Sequence, residues 1–216
     1  PCINTARGIP RSPAMMRYAY TFLAPVYDLL VASATRRWRQ ESLSALAAIP
    51  GGVEGRHILL AGVGSGLDIP HLPPGGSYTG LDITLAMLKR AQLRAAQCGV
   101  RIDLQQGDAM ALPYVDACFD AVIMHLIVAV VPDAERALAE AARVLKPGGR
   151  IFIVDKFLRP GQRAPLRRML SPLLGKIATR MDVVFEQVLA ATPSLRVVND
   201  VALSGGWFRR IELQRI

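Results

Sequence analysis

Short apolar runs alternate with longer amphipathic stretches along the chain after residue 50. The apolar runs predict strands, and apolar positions at helical spacing predict helices. The predicted strands are His57–Ala61, Ser77–Leu81, Arg101–Gln105, Ala117–Met124 and Arg150–Asp155. The predicted helices follow Gly66 and span Thr84–Cys98 and Ala134–Leu145. This alternation predicts an α/β fold with an open, doubly wound, mostly parallel sheet covered on both faces.

The two ends of the chain have different patterns. Arg17–Ile49 has apolar residues at helical spacing and ends at Pro50-Gly51-Gly52, so we predict an N-terminal helical lid segment over residues 1–50 and one larger domain over residues 51–216. Helical spacing returns at Leu166–Arg180 and Val183–Ala191. Two β-like runs, Arg196–Leu203 and Trp207–Ile216, then predict an antiparallel C-terminal hairpin at one edge of a seven-stranded sheet.

Composition restricts the class of protein. The chain has 216 residues, of which 51% are hydrophobic and 20% charged, as expected of a globular protein with a full core. Its three cysteines, Cys2, Cys98 and Cys118, have no metal-ligand spacing and do not suggest a disulfide framework. We therefore predict no metal site and a cytoplasmic protein. No apolar run is long enough for a membrane-spanning helix, and the N-terminus lacks the order of a signal peptide.

The net charge of +9 is concentrated in one segment. Residues 156–180 contain seven basic side chains and no acidic one: Lys156, Arg159, Arg163, Arg167, Arg168, Lys176 and Arg180. Such a segment favours an anionic surface, either phospholipid or nucleic acid, and the alternative is a solvated helix face. Apolar residues at helical spacing within Leu166–Arg180 suit a helix lying on anionic lipid, and they suit packing against the sheet equally well.

The stretch "ILLAGVGSGLDIP" takes a strand into a turn with glycines at 62, 64 and 66. Missing Cβ atoms let backbone N–H groups and the N-terminus of the following helix approach a ligand. A dinucleotide fingerprint needs its third glycine at position 67, which is Leu, so the spacing argues against a nicotinamide or flavin cofactor. Glycines in such turns also serve purely structural purposes.

Three later strands also end in polar residues. Asp82 ends "YTGLD", where a carboxylate can accept hydrogen bonds from both ribose hydroxyls, or can instead cap the helix that follows. Asp108 and Ala109, in "LQQGDAMALP", are placed to contact the edge of an adenine ring. His125 ends "CFDAVIMH" and is the candidate proton acceptor, with a packed, hydrogen-bonded histidine as the alternative.

With these residues in order, the chain resembles the S-adenosylmethionine-dependent methyltransferases of the Rossmann-like class. The resemblance covers about residues 20–157 and rests on "GVGSG", "GLDITLAMLKRA", "GDAMALPYVDACFDAVI" and "EAARVLKPGGRIFIVD". It implies S-adenosylmethionine as cofactor and residues 51–216 as the methyltransferase domain. The cofactor-binding residues that it implies are Gly62, Val63, Gly64, Gly66, Asp82, Ile83, Met87, Asp108 and Ala109. One position departs from the family, because Leu60 stands where an acidic residue is usual.

Within the family, "YTFLAPVYDLL" and "VAVVPDAERALAEAARVLKPGG" look most like bacterial phosphatidylethanolamine N-methyltransferases, with quinone-biosynthesis methyltransferases next. The resemblance implies a phospholipid or other small-molecule methyl acceptor, and an N-terminal helix that places Tyr20 and Tyr27 near the sulfonium. These tyrosines, with His125, are the candidate catalytic residues; aromatic packing onto the sheet is the alternative for the tyrosines. A peripheral position on the inner face of the membrane follows from the same resemblance and the basic segment.

Two alternatives come from other classes of protein. A nucleic-acid-associated protein would need aromatic residues among the basic ones, yet residues 156–180 contain only Phe157, so we expect no nucleic-acid partner. A non-catalytic cofactor-binding scaffold is the other alternative.

Overall fold

The computed structural model describes residues 35–159 and 183–216, and they contain a seven-stranded sheet. The strands are β1 (His57–Ala61), β2 (Ser77–Asp82), β3 (Asp103–Gln106), β4 (Phe119–His125), β5 (Leu145–Asp155), β6 (Leu195–Leu203) and β7 (Phe208–Arg215). Their order across the sheet is β3-β2-β1-β4-β5-β7-β6. The first five strands in this order are parallel, and β7 pairs antiparallel with both β5 and β6. The predicted fold class and edge hairpin are confirmed.

Four α-helices flank the strands in the described residues. They are α1 (35–47), α2 (Leu85–Cys98), α3 (Ala134–Val144) and α4 (Phe185–Ala190). Asp133 caps α3 by accepting a hydrogen bond from the N–H of Arg136, and Gly99 ends α2 in the left-handed conformation. None of the helices in these ranges is long and apolar enough to cross a membrane.

Both faces of the sheet are buried, so successive residues of β1 belong to different cores. Ile58 and Leu60 pack in one core with Leu43 and Leu46 of α1. Leu59 and Ala61 pack in the other core, which includes residues of α3 and α4. The described part of the predicted lid segment is therefore docked into the same core as the sheet; residues 1–34 lie outside the described residues.

The prediction of a helix after Gly66 is wrong. Only a short 3-10 turn, Ile69–His71, forms there. Pro73-Pro74 follows at once, and proline removes the backbone donor and clashes with the preceding turn of a helix. A smaller difference concerns β5, which begins at Leu145 rather than Arg150 because the chain pairs with β4 through an irregularity between Phe119 and Ala121.

The order of strands reverses between β1 and β4. Strands β2 and β3 lie on one side of β1, and β4 and the later strands lie on its other side. Ligands of open α/β sheets bind beyond the carboxyl ends of the strands at such a reversal. The residues after β1, β2, β3 and β4 therefore form the candidate site.

Candidate cofactor site

The glycine turn after β1 is tied to β2 by its own backbone. The N–H groups of Gly62 and Val63 donate to the carbonyl of Leu81, at 2.8 and 2.9 Å, and the N–H of Gly64 donates to Oδ2 of Asp82 at 3.0 Å. The N–H of Gly66 donates to Val63 at 3.0 Å. The turn therefore uses these N–H groups to fix its own shape, and contact of its glycines with a ligand stays a prediction. The predicted helix N-terminus is also missing here.

The three glycines meet different surroundings, although all have positive φ. A Cβ at Gly62 would lie 2.7 Å from Ile127, and one at Gly66 would lie 3.0 Å from the backbone Cα of Ala91 in α2. A Cβ at Gly64, by contrast, would meet no described atom within 4 Å. Gly62 and Gly66 thus serve the packing of the fold, while Gly64 leaves an open surface that a ligand can approach.

Asp82 stands at the end of β2 and is partly exposed. Its Oδ1 accepts a hydrogen bond from the N–H of Thr84 at 2.8 Å, just before α2, and its Oδ2 accepts the bond from Gly64. Each oxygen of a carboxylate can accept a further hydrogen bond. The structure therefore allows the local cap and the predicted ribose contact together.

The residues predicted to surround adenine lie beside Asp82. The N–H of Gly107 donates to the carbonyl of Asp82 at 3.0 Å, which brings the ends of β2 and β3 together, and Gln106 donates to the carbonyl of Ile83 at 2.9 Å. Oδ1 of Asp108 accepts from the N–H of Met110 at 2.8 Å. Within the described ranges, Oδ2 of Asp108 and the N–H of Ala109 have no hydrogen-bond partner.

These features fit an adenosyl cofactor. The edge of adenine carries an amine donor beside a ring-nitrogen acceptor. The unpartnered Oδ2 of Asp108 can accept from that amine, and the unpartnered N–H of Ala109 can donate to that nitrogen. Met87 is buried on α2, and Gly64 leaves open space next to Asp82. The roles of the individual residues toward the cofactor remain predictions. Among residues 35–159 and 183–216, no three His, Cys, Asp or Glu side chains are grouped to hold a metal ion.

His125 lies in a buried polar cluster instead of facing open space. Its Nδ1 is 2.8 Å from Oδ1 of Asp68, and its Nε2 is 2.9 Å from the hydroxyl of Ser42 on α1. Arg39, also on α1, forms an ion pair with the same Asp68 oxygen at 2.9 Å. Both ring nitrogens are thus engaged inside the protein, which supports the packed-histidine alternative. Its role as a proton acceptor stays a prediction.

The charged neighbours of Asp68 outweigh its burial in setting its pKa. Burial alone would raise the pKa of Asp68, but Arg39 and His125 together hold that pKa well below its usual range. Asp68 is therefore a carboxylate over the whole physiological pH range.

Sequence reasoning missed Asp68, Arg39 and Ser42. Asp68 offered a signal, since it is an acidic residue two positions after the last glycine of the turn. The two residues of α1 offered none, because they reach Asp68 and His125 only through the fold. Tyr20 and Tyr27 lie outside the described residues, as do the basic residues between 160 and 182.

Comparisons with known proteins identify a methyltransferase domain in this chain. The family model described as a methyltransferase domain matches residues 59–153. A phosphatidylethanolamine N-methyltransferase of Cereibacter sphaeroides is 35% identical over 165 residues, which are 74% of this chain and 81% of that protein. A demethylmenaquinone methyltransferase of Renibacterium salmoninarum is 34% identical over 153 residues, 68% of this chain and 61% of that protein.

The fold also matches solved structures. A geranyl diphosphate methyltransferase in complex with S-adenosylmethionine superposes with a TM-score of 0.69 at 17% identity, covering 88% of this chain and 90% of that one. At this identity the likeness concerns the fold alone.

Proposed function

Because the chain belongs to the S-adenosylmethionine-dependent methyltransferases, we propose that it methylates the head-group amine of phosphatidylethanolamine or of its partly methylated forms. The observation that carries the proposal is the 35% identity to the Cereibacter sphaeroides enzyme, which extends over 74% of this chain. The acceptor named for that relative is the finer part of the proposal, whereas S-adenosylmethionine as the methyl donor holds for the family.

The reaction asks mainly for alignment and exclusion of water. The cofactor supplies an activated methyl group on a sulfonium, and the protein must hold it in line with a neutral amine. In our proposal Gly64 lets the cofactor lie close to the chain, Asp82 holds the ribose, and Asp108 with Ala109 holds the adenine edge. Tyr20 and Tyr27 orient the amine. Because both ring nitrogens of His125 are hydrogen-bonded within its cluster, water accepts the proton that the amine loses.

The membrane surface is where such an acceptor lies. The seven basic residues of segment 156–180, with no acidic residue among them, support binding to anionic lipid from the cytoplasmic side. Lys156 and Arg159 are the described members of this segment, and they follow the carboxyl end of β5, at the same edge of the sheet as the cofactor site. In our proposal the segment brings the cofactor site to the lipid head groups.

The direct test is transfer of labelled methyl groups from S-adenosylmethionine to vesicles that contain phosphatidylethanolamine and an anionic lipid. We expect label in the amine head group, and none with vesicles of phosphatidylcholine and the same anionic lipid. Asp82→Asn should lower the rate, whereas Asp116→Asn, a mostly exposed carboxylate on the α3 side, should not. Wild-type protein that binds cofactor and leaves the lipid unlabelled would contradict the proposal.

A demethylated quinone is the second candidate acceptor. It is favoured by the 34% identity to the Renibacterium salmoninarum demethylmenaquinone methyltransferase, although the chain spans only 61% of that protein. In this case the basic segment would be incidental, and co-sedimentation with vesicles would not depend on anionic lipid or on salt. Label in an extracted quinone, with none in phosphatidylethanolamine, would identify this function.

A further inference from the structure

The methionine end of the cofactor has no carboxylate at the usual position. Leu60 stands where the family usually has an acidic residue, and it is fully buried in the core with Leu43 and Leu46 of α1. An apolar side chain in a packed core offers nothing to an ammonium group. A different carboxylate, that of Asp68, lies on the same side of the sheet as Leu60.

Two contacts place Asp68 there. His125 follows Ile123 by two residues in β4, so both side chains point to the α1 face of the sheet, as Leu60 does. β4 is the parallel neighbour of β1, with Leu60 opposite Ile123. Asp68 bonds to His125 and Arg39, and both contacts hold it between α1 and the carboxyl ends of β1 and β4. This is the edge of the sheet where the cofactor binds.

The ion pair of Asp68 and Arg39 leaves one atom of each partner unused. The ion pair and the His125 bond both fall on Oδ1 of Asp68. Arg39 uses Nη1 for Asp68 and Nε for the hydroxyl of Thr35 at 3.1 Å. Oδ2 of Asp68 and Nη2 of Arg39 have no hydrogen-bond partner among the described residues. Both side chains are more than nine-tenths buried, with exposed fractions of 6% and 8%.

A carboxylate oxygen beside a guanidinium nitrogen is complementary to an α-amino acid zwitterion. The oxygen can accept from an ammonium group, and the nitrogen can donate to a carboxylate. A ligand that supplies both partners gains two charge-assisted hydrogen bonds. The methionine part of S-adenosylmethionine is such a zwitterion.

We propose that Asp68 and Arg39 bind the amino-acid end of S-adenosylmethionine, with Asp68 supplying the carboxylate that is absent at position 60. His125 and Ser42 are positioning residues in this arrangement. His125 holds Oδ1 of Asp68 so that Oδ2 stays free, and Ser42 holds the far side of the imidazole. The inference rests on the cofactor and not on the proposed acceptor.

The test compares two ligands that differ only at that end of the molecule. S-adenosylhomocysteine carries the amino-acid group, and 5′-methylthioadenosine lacks it. Dissociation constants are measured by calorimetry for the wild type and for Asp68→Asn. We expect the substitution to weaken S-adenosylhomocysteine binding about 10-fold to 100-fold, the range for loss of a charge-assisted hydrogen bond, and to change 5′-methylthioadenosine binding less than about twofold.

Asp116→Asn is the matched control outside the cluster. It makes the same substitution at a carboxylate whose side chain is 76% exposed, so it should leave both dissociation constants unchanged. Equal weakening of both ligands by Asp68→Asn would mean that Asp68 only maintains the fold, and it would overturn the proposal. No weakening of either ligand would do the same.

A second measurement needs no variant. Asp68→Asn leaves Arg39 without its counter-charge and can fail to fold, so a crystal structure of the wild type with S-adenosylhomocysteine completes the test. We expect the cofactor's amino nitrogen within about 3.2 Å of Oδ2 of Asp68. An amino group bound elsewhere would overturn the proposal. Neither measurement uses a methyl acceptor, so a wrong acceptor in the proposed function leaves both results interpretable.

Discussion

At the scale of single residues, the glycine turn separates into positions with different tasks. Gly62 and Gly66 are needed because a side chain would collide with Ile127 or with the backbone of α2. Gly64 has a positive φ of 55°, yet a Cβ there would meet open space. Gly64 therefore adopts the left-handed conformation without packing against a described atom, and we propose that the open space admits the cofactor.

Gly64→Ala should reduce cofactor affinity far more than stability. The left-handed conformation costs alanine about 1–2 kcal/mol, and the new methyl group would occupy space that we assign to the cofactor. Gly52→Ala is the matched control, because Gly52 has a φ of 65° and equally open surroundings in the turn after α1. Thermal melts should show similar losses for both variants. Calorimetry with S-adenosylhomocysteine should show a loss of affinity of about tenfold or more for Gly64→Ala alone, and equal affinities would contradict this role.

The charged cluster at Asp68 should make stability depend on pH. The pKa of Asp68 is lower in the folded protein than its ordinary value of about 3.9, so the unfolded chain binds more protons at acid pH. The stabilisation is complete well above that value and is lost as the pH falls from about 5 through 4 and below.

Urea unfolding at several pH values measures this effect. The free energy of unfolding of the wild type should fall more steeply between pH 5 and 3 than that of Asp68→Asn. Asp116→Asn is the control, since 76% of the Asp116 side chain is exposed and its pairing with Arg143 is screened by solvent. Identical slopes for the wild type and Asp68→Asn would show that Asp68 is not held as a stabilised carboxylate.

At the scale of elements, the sequence indicated the strands well because buried parallel strands are continuous apolar runs. β1 has the predicted bounds, and α2, α3 and both strands of the C-terminal hairpin differ from prediction by only one or two residues at each end. The helix predicted after Gly66 does not form, because Pro70 and Pro73-Pro74 lack the backbone N–H groups that a helix needs. In the same way, hydrogen bonding of the glycine turn to Leu81 depends on the neighbouring strand, which local sequence does not reveal.

The site was predictable wherever it is local to one strand end. Asp82 and Asp108 follow their strands directly, so their place at the edge of the sheet followed from the topology. The Asp68 cluster was not predictable, because His125 is 57 residues from Asp68 and 83 residues from Ser42 in the sequence. Such contacts depend on how α1 crosses the sheet, which periodicity does not give.

Helix α1 should behave as part of the core. Leu46 is fully buried against β1, so Leu46→Ala should reduce the free energy of unfolding by about 2–5 kcal/mol. Leu93→Ala on α2 is the control, because 65% of Leu93 is exposed and its truncation should cost little. Chemical denaturation of both variants measures the difference. Equal small losses would contradict a docked α1 and would favour a separate lid.

At the scale of the whole molecule, the basic segment begins at the same edge of the sheet as the candidate cofactor site, directly after β5. The sheet brings the glycine turn, Asp82, Asp108 and the Asp68 cluster to its carboxyl edge, and the basic residues begin where β5 reaches that edge. A net charge of +9 gives the molecule a long-range attraction to anionic surfaces. A methyl acceptor held in an anionic membrane would suit this arrangement.

The most direct test of the proposed function is a competition between the two acceptors in one vesicle. Vesicles of an anionic lipid contain phosphatidylethanolamine and a demethylated menaquinone in equal amounts, and labelled S-adenosylmethionine is added with the protein. After extraction, the label in each lipid is counted over the linear phase of the reaction. Our account predicts that most of the label is in the phosphatidylethanolamine head group and that added salt lowers the rate. Label predominantly in the quinone would contradict it.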